Sequence, residues 1–391
     1  MTATDRIADD RQTGSLKLFS RHVVLADREV AATVVVEDGI ITAVEIDRQQ
    51  PDATHLGDDL LIPGLVELHT DHLEPHYQPR PKVHWDPLSA VFAYDAQIAA
   101  SGITTVFDSL RIGSDDDRPT TADGLLDLSE AIEKAKETGL LRSDHHTHLR
   151  CEIPSRGVVE EAESYLSRFD VRLMSLMDHT PGQRQFRDQE KLRTYYRGKT
   201  GLSESDLDQL FANRRARADE IGEPNKRGLV ALAHRAGIAL ASHDDTLEDH
   251  VAESVADRVS IAEFPTTVEA ARASHAAGIS VLMGAPNVVR GGSHSGNVSA
   301  VELAEAGVLD ILSSDYVPIS LIHGAFGLRD VPAMGGIAGA IQTVTLKPAL
   351  ATGMTDRGEI AMGKRGDLVR VALVGTQPVV REVWRTGRRI A

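Results

Sequence analysis

The apolar positions of this chain follow two different rhythms. Near the start, Val34-Val35-Val36-Glu37-Asp38-Gly39-Ile40-Ile41 sets two apolar runs around an Asp-Gly pair, the pattern of a tight hairpin. Residues 15–62 as a whole read as short strands. The other end reads the same way. Asp367 to Val374 is an apolar or alternating strand, and Val379 to Trp384 is another, closed by Thr386-Gly387. Neither end alone makes a stable sheet. The economical expectation is that residues 15–62 and 346–391 join in one small β-sandwich domain, with a larger domain, residues 63–345, inserted between them.

The inserted part repeats one grammar. A helical stretch ends in a small residue and Gly, and an apolar strand begins. Ser101-Gly102 leads into Ile103–Phe107, and Thr138-Gly139 into Leu140 and Leu141. Ala236-Gly237 leads into Ile238–Ala241, Ala277-Gly278 into Ile279–Met283, and Ala306-Gly307 into Val308–Leu312. A Gly just past each helix closes it in the left-handed conformation. Alternating helices and strands predict a parallel sheet. A domain of this length suits an α/β fold of the (β/α)8 TIM-barrel type, with an open doubly wound sheet as the alternative. Residues 187–229 break the grammar. They are charged and helical, with Ser203 or Ser205 as N-cap and Gly222-Glu223-Pro224 as a stop. They predict a helical insertion over the barrel mouth.

Composition narrows the function. With 391 residues, 41% hydrophobic and 26% charged, the chain is globular rather than disordered. A net charge of −16 and only 4% aromatic residues argue against nucleic acid or an anionic membrane as partner. A single cysteine, Cys151, permits no internal disulfide and suits a reducing compartment. Met1 to Ser20 is polar and lacks an apolar leader core, which predicts a cytoplasmic protein. The partner expected is a small molecule, and exposed barrel helices leave room for a homodimer.

Sixteen histidines remain, and they cluster. In an α/β barrel, chemistry sits just after the strands. The apolar run Leu61–Leu68 leads directly into His69-Thr70-Asp71-His72. On extended backbone, His69 and Asp71 point to one side and can reach one cation. In His145–Glu152, strand alternation puts His146, His148, Arg150 and Glu152 on one face. A glutamate at an inward position needs a strong partner to offset desolvation. Asp178-His179, Ser242-His243 and Ser314-Asp315 each follow an apolar run. Several strand ends carrying His or Asp together predict a first-row divalent site, and a shared carboxylate would make it a two-metal hydrolytic site.

These features resemble the amidohydrolase superfamily across roughly residues 15–391. The resemblance implies that His69 and Asp71 hold a first ion and His179 and His243 a second. Glu152 then bridges, and Asp315 is both ligand and base to the attacking water. Many members bridge with a carboxylated lysine, but no lysine lies between Lys136 and Lys191, and Glu152 is its natural replacement. The ligands allow Zn, Mn, Fe or Ni.

Longer strings resemble a narrower family within it, the diphosphatases that act on a ribose methylphosphonate triphosphate in phosphonate degradation. They are His69–Glu74, Pro79–Trp85, Ala262–Thr267, Met283–Asn297 and Ser313–Pro318. The implied substrate is a sugar triphosphate bearing a phosphonate, cut to the 5-phosphate and pyrophosphate. Such a substrate is strongly anionic and the protein is acidic, so local cations must dominate. Two divalent ions supply charge, and Arg80, Lys82, Arg150 and Arg290 are candidates to add more. Arg290-Gly291-Gly292-Ser293-His294 offers consecutive backbone N–H groups as a phosphate nest, and Asn297 completes that substrate-binding string. The rival expectation is an amide or imide hydrolase, the superfamily's commoner activity, whose neutral substrate needs no arginines.

Overall fold

One apolar run builds strands in two sheets. The computed structural model describes residues 15–113, 121–184, 192–193, 197, 203–293 and 296–391. Leu60–Pro63 belongs to a sheet made by the chain ends, and Leu65–Thr70 belongs to the barrel. The single strand expected over Leu61–Leu68 is therefore divided at Gly64. A side chain at Gly64 would place its Cβ 2.2 Å from Thr104 Oγ1, so only glycine lets the chain pass the second barrel strand.

The terminal sheet runs, in order, Arg388–Arg389, Gln377–Arg385, Leu368–Val374, Leu60–Pro63, Leu16–Val24, Glu29–Glu37 and Ile40–Ile46. Leu368–Val374 lies antiparallel to Leu60–Pro63, which joins the two chain ends. The Asp-Gly turn takes positive φ at both residues, 48° at Asp38 and 82° at Gly39, as a type I′ hairpin requires. Leu18, Val34, Ile41, Leu61, Leu368 and Trp384 form a separate small core.

The second sheet has eight parallel strands: Leu65–Thr70, Ile103–Ile112, Asp144–Glu152, Val171–Met177, Ala239–His243, Ile261–Glu263, Ser280–Gly284 and Ile311–Ser313. A bridge between Thr70 and Asp315 brings the last strand against the first. The Asp315 N–H donates to the His69 carbonyl at 3.1 Å. The Glu67 carboxylate reinforces this seam, accepting from the backbone N–H of His69 at 2.6 Å and of Ser314 at 2.5 Å. Inside, Leu68, Phe107, Leu173, Ala241, Ile261, Leu282 and Ile311 pack as an apolar layer, joined by Ala349 and Met354.

The five expected helix-closing glycines all take positive φ, from 67° at Gly139 to 88° at Gly102. Two expectations need correction. Leu140 is exposed, and its strand begins only at Asp144. Gly222-Glu223-Pro224 does not stop a helix either. Ser203 caps it as expected, accepting from Asp206 N–H at 3.2 Å, but it runs unbroken from Glu204 to Ala236. A proline inside a helix costs a hydrogen bond. Here tertiary packing overrides that cost. Leu207 and Phe211 pack in one cluster, and Leu229, Leu232 and Ala233 in the main core. Asn225, beside the proline, donates to the carbonyls of Ile153 at 2.8 Å and Ser155 at 2.9 Å. The helix therefore continues into the crossover before the fifth barrel strand. Most of the expected insertion before Ser203 lies outside the described residues.

Candidate active site

Strand alternation builds the site one layer above the apolar one. Two residues beyond Leu173 comes Ser175, beyond Ala241 comes His243, and beyond Ile261 comes Glu263. On the third strand His148, Arg150 and Glu152 share the inward face, while Leu149 and Cys151 pack outward into the main core. The upper layer is polar because each strand reaches the C-terminal mouth there.

Glu263 is its centre. It is fully buried. His69 Nδ1 donates to its Oε1 at 2.9 Å, and His243 Nδ1 to its Oε2 at 3.2 Å. The Ser175 hydroxyl donates to Oε2 at 2.7 Å and also meets His148 Nε2. Burial pushes Glu263 up, but His69, His148 and His243 outweigh it and hold the carboxyl well below its usual range. His148 shows the opposite balance, with burial driving it down to about 3. It faces the Leu68 carbonyl through Nδ1 at 2.9 Å.

Glu152 forms a second buried anchor. Its Oε2 accepts from Arg111 at 2.8 Å and from His179 Nδ1 at 2.6 Å, and its Oε1 accepts from the His179 N–H at 3.0 Å. Burial opposes ionisation, yet His179 and Arg111 bring Glu152 down to about 2. His179 is raised in turn, with Glu152 outweighing burial.

Among the described residues, two groups of side chains bring ligand atoms within 4.8 Å of one another: His69 with His148 and Glu263, and His179 with His243 and Asp244. His69, His179 and His243 each commit Nδ1 to a buried glutamate, which fixes the orientation of each ring. The ring centroids of His69 and His179 each lie 5.8 Å from that of His243. Phe264 packs its ring edge-on to His69 and His243 at 5.0 and 5.3 Å. Imidazole nitrogens beside Asp244 and Asp315 are a donor set that suits a first-row divalent ion.

Asp315 completes the mouth. It sits at φ 55°, and Asp244 and Phe264 likewise take left-handed backbone at 58° and 53°. Three strand ends thus turn sharply to aim side chains into the opening. Burial raises the Asp315 carboxyl, with Asp71 adding to the effect against His69, Arg150 and His243. Asp71 stands apart from both ligand groups, and its partner is Arg150 at 3.8 Å.

A cavity opens above these residues, lined by His69, Arg150, His243, Asp244, Phe264, Arg290, Ser293, Asn297, Asp315 and Tyr316. The structure therefore brings Arg150, Arg290, Ser293 and Asn297 to the chemistry. Arg80 and Lys82 are exposed and do not line the cavity. His294 lies outside the described residues. Sequence reasoning gave no role to Glu263, Ser175, Asp244 or Arg111. The signal for Glu263 was present, since Ile261-Ala262-Glu263 is another apolar run ending in a charge.

No family model matches the chain. A protein of Escherichia coli (strain K12), alpha-D-ribose 1-methylphosphonate 5-triphosphate diphosphatase, is 45% identical over 370 residues, covering 94% of this chain and 98% of that one. The fold is similar to that of N-acetyl-D-glucosamine-6-phosphate deacetylase from Mycobacterium smegmatis, with a TM-score of 0.63, 14% identity, and coverage of 96% of this chain and 100% of the other. It is also similar to 5-methylcytosine deaminase from Klebsiella pneumoniae, with a TM-score of 0.63, 16% identity, and coverage of 96% and 98%. A zinc-bound adenosine deaminase from Xanthomonas campestris gives a TM-score of 0.53 at 17% identity, with coverage of 96% and 92%. At such identities these structures speak for the fold, and the Escherichia coli relative speaks for the lineage. The chain belongs to the alpha-D-ribose 1-methylphosphonate 5-triphosphate diphosphatase family.

Proposed function

We propose that this protein hydrolyses alpha-D-ribose 1-methylphosphonate 5-triphosphate to the 5-phosphate and pyrophosphate. One observation carries the reading: Arg150 and Arg290 line the same cavity as His69, His243 and Asp315, in a chain 45% identical to an enzyme of that name. A neutral amide or imide would have no use for two guanidinium groups at the mouth.

His179, His243 and Asp244 would hold one divalent ion, and His69 and Asp315 would help hold a second, without Asp71, which pairs with Arg150. Glu152, bonded to Arg111 and to His179 Nδ1, would contribute its negative charge to this centre and hold the His179 ring. When bound, such ions acidify water and neutralise phosphate charge. Asp315 takes the proton of the attacking water, and its raised affinity for protons before metal binding suits it to that task. Water adds to phosphorus as the bridging P–O bond breaks, and the electron pair leaves with pyrophosphate. Arg150 and Arg290 steady the charge on the leaving oxygens, whereas the expected backbone nest at Gly291-Gly292 is not offered, because those N–H groups close the helix Ala285–Arg290 on the carbonyls of Val288 at 3.1 Å and Asn287 at 2.9 Å. The working location is the cytoplasm. Among the described residues no helix is long and apolar enough to cross a membrane.

Asp315→Asn should lower pyrophosphate release by about 10²–10⁴-fold with an unchanged melting temperature. Near-wild-type turnover in that variant would remove Asp315 from the mechanism. A wild-type enzyme that ignores the triphosphate but opens a cyclic amide would overturn the substrate.

A further inference from the structure

Glu263 is a buried carboxylate to which no catalytic step assigns a task. It lies on the sixth barrel strand, 194 residues along the chain from His69. An ionised carboxylate only accepts hydrogen bonds. Each histidine that bonds to it must therefore present an N–H. His69 does so through Nδ1 at 2.9 Å and His243 through Nδ1 at 3.2 Å, one to each oxygen. In a neutral ring the proton on Nδ1 obliges Nε2 to carry the lone pair. Both rings thus have the tautomer a cation needs at Nε2, and both are fixed in rotation. Ser175 holds the carboxylate from the other side at 2.7 Å.

We infer that Glu263 is a positioning residue that sets the tautomer and orientation of His69 and His243 together, so that one buried carboxylate couples the two halves of the metal centre. The inference deepens the metal reading proposed above and rests on it. The coupling follows from the shared acceptor. Rotation of either ring away from Glu263 leaves a buried oxygen short of a donor, so each ring's position stabilises the other's. Carboxylates that orient metal-bound histidines typically alter metal affinity by about 10–100-fold.

The test is a titration of the metal-free protein with Co²⁺, read by its visible absorption bands and by calorimetry. It compares wild type with Glu263→Gln, Glu263→Asp and Ser175→Ala. Gln keeps one acceptor and turns an N–H₂ toward the other ring. Glu263→Gln should bind Co²⁺ about 10–100-fold more weakly, with altered bands and unchanged stoichiometry. Glu263→Asp should recover part of that loss. Ser175→Ala, which leaves both rings paired, should lose less. It remains informative if Glu263→Gln fails to fold, because wild-type affinity and bands in both Ser175→Ala and Glu263→Asp would overturn the inference. So would wild-type affinity and bands in Glu263→Gln itself. Loss of a whole ion from the stoichiometry would instead make Glu263 a ligand. Failure of wild type to bind Co²⁺ at all would sink the underlying metal reading.

Discussion

His145 and His148 stand three residues apart on one strand, and their surroundings drive their proton affinities in opposite directions. His145 faces outward and meets two carboxylates, Asp108 through Nδ1 at 2.9 Å and Asp95, on the helix Pro87–Ala100, through Nε2 at 3.2 Å. Both partners accept, so both ring nitrogens must carry protons. Burial alone would depress His145, but Asp108 and Asp95 lift it to about 9. The resulting stabilisation is complete below the unfolded value of 6.5 and is lost as pH rises through 9. It corresponds to roughly 3 kcal/mol. Urea unfolding at pH 6 and pH 9.5 should show wild type losing more stability than His145→Gln over that window. Parallel losses would mean that the ring is not charged in the folded protein.

At the scale of the element, Gly64 is the point where one run of sequence passes from one sheet to another. Gly64→Ala would press a methyl group against Thr104 and Asp367, where the gaps are 2.2 and 3.0 Å. It should destabilise by about 1–3 kcal/mol. Thr104→Ala in the same chain should recover part of that, a non-additivity that a double-mutant cycle reads directly. Additive effects would place the strain elsewhere. This break was not legible in sequence because both flanking strands are buried throughout and mostly apolar around the glycine, and periodicity cannot divide such a run. The helix ends were legible, since Gly102, Gly139, Gly237, Gly278 and Gly307 each answer a local backbone demand. Pro224 misled for the converse reason, because its local preference lost to packing at both ends of a 33-residue helix. His69, His179, His243 and Asp315 announced themselves by following strands. Glu263 also ends an apolar run, but its three-residue strand, Ile261–Glu263, is too short for alternation to show which way that side chain faces.

Across the whole molecule, charge sets a contest. The protein carries −16 and is proposed to bind a polyanion. Two fields act on an arriving triphosphate: a diffuse repulsion from the surface and a close attraction from Arg150, Arg290 and any bound cations. Salt screens both. If the close field governs capture, kcat/KM should fall as ionic strength rises from 20 to about 300 mM, where the Debye length shrinks below about 10 Å. A rise with salt would show that the diffuse repulsion limits binding, and that the arginines at the mouth do not compensate for it.

The apolar layer of Leu68, Phe107, Leu173, Ala241, Ile261, Leu282 and Ile311 lies directly beneath the histidines. It makes the barrel a blind alley. Whatever enters must leave by the same door, so the sugar phosphate and pyrophosphate exit in sequence past Arg290 and Tyr316 rather than by separate routes. The guanidinium groups that help to capture a triphosphate therefore also slow the departure of its fragments, and turnover is set by a compromise between grip and release.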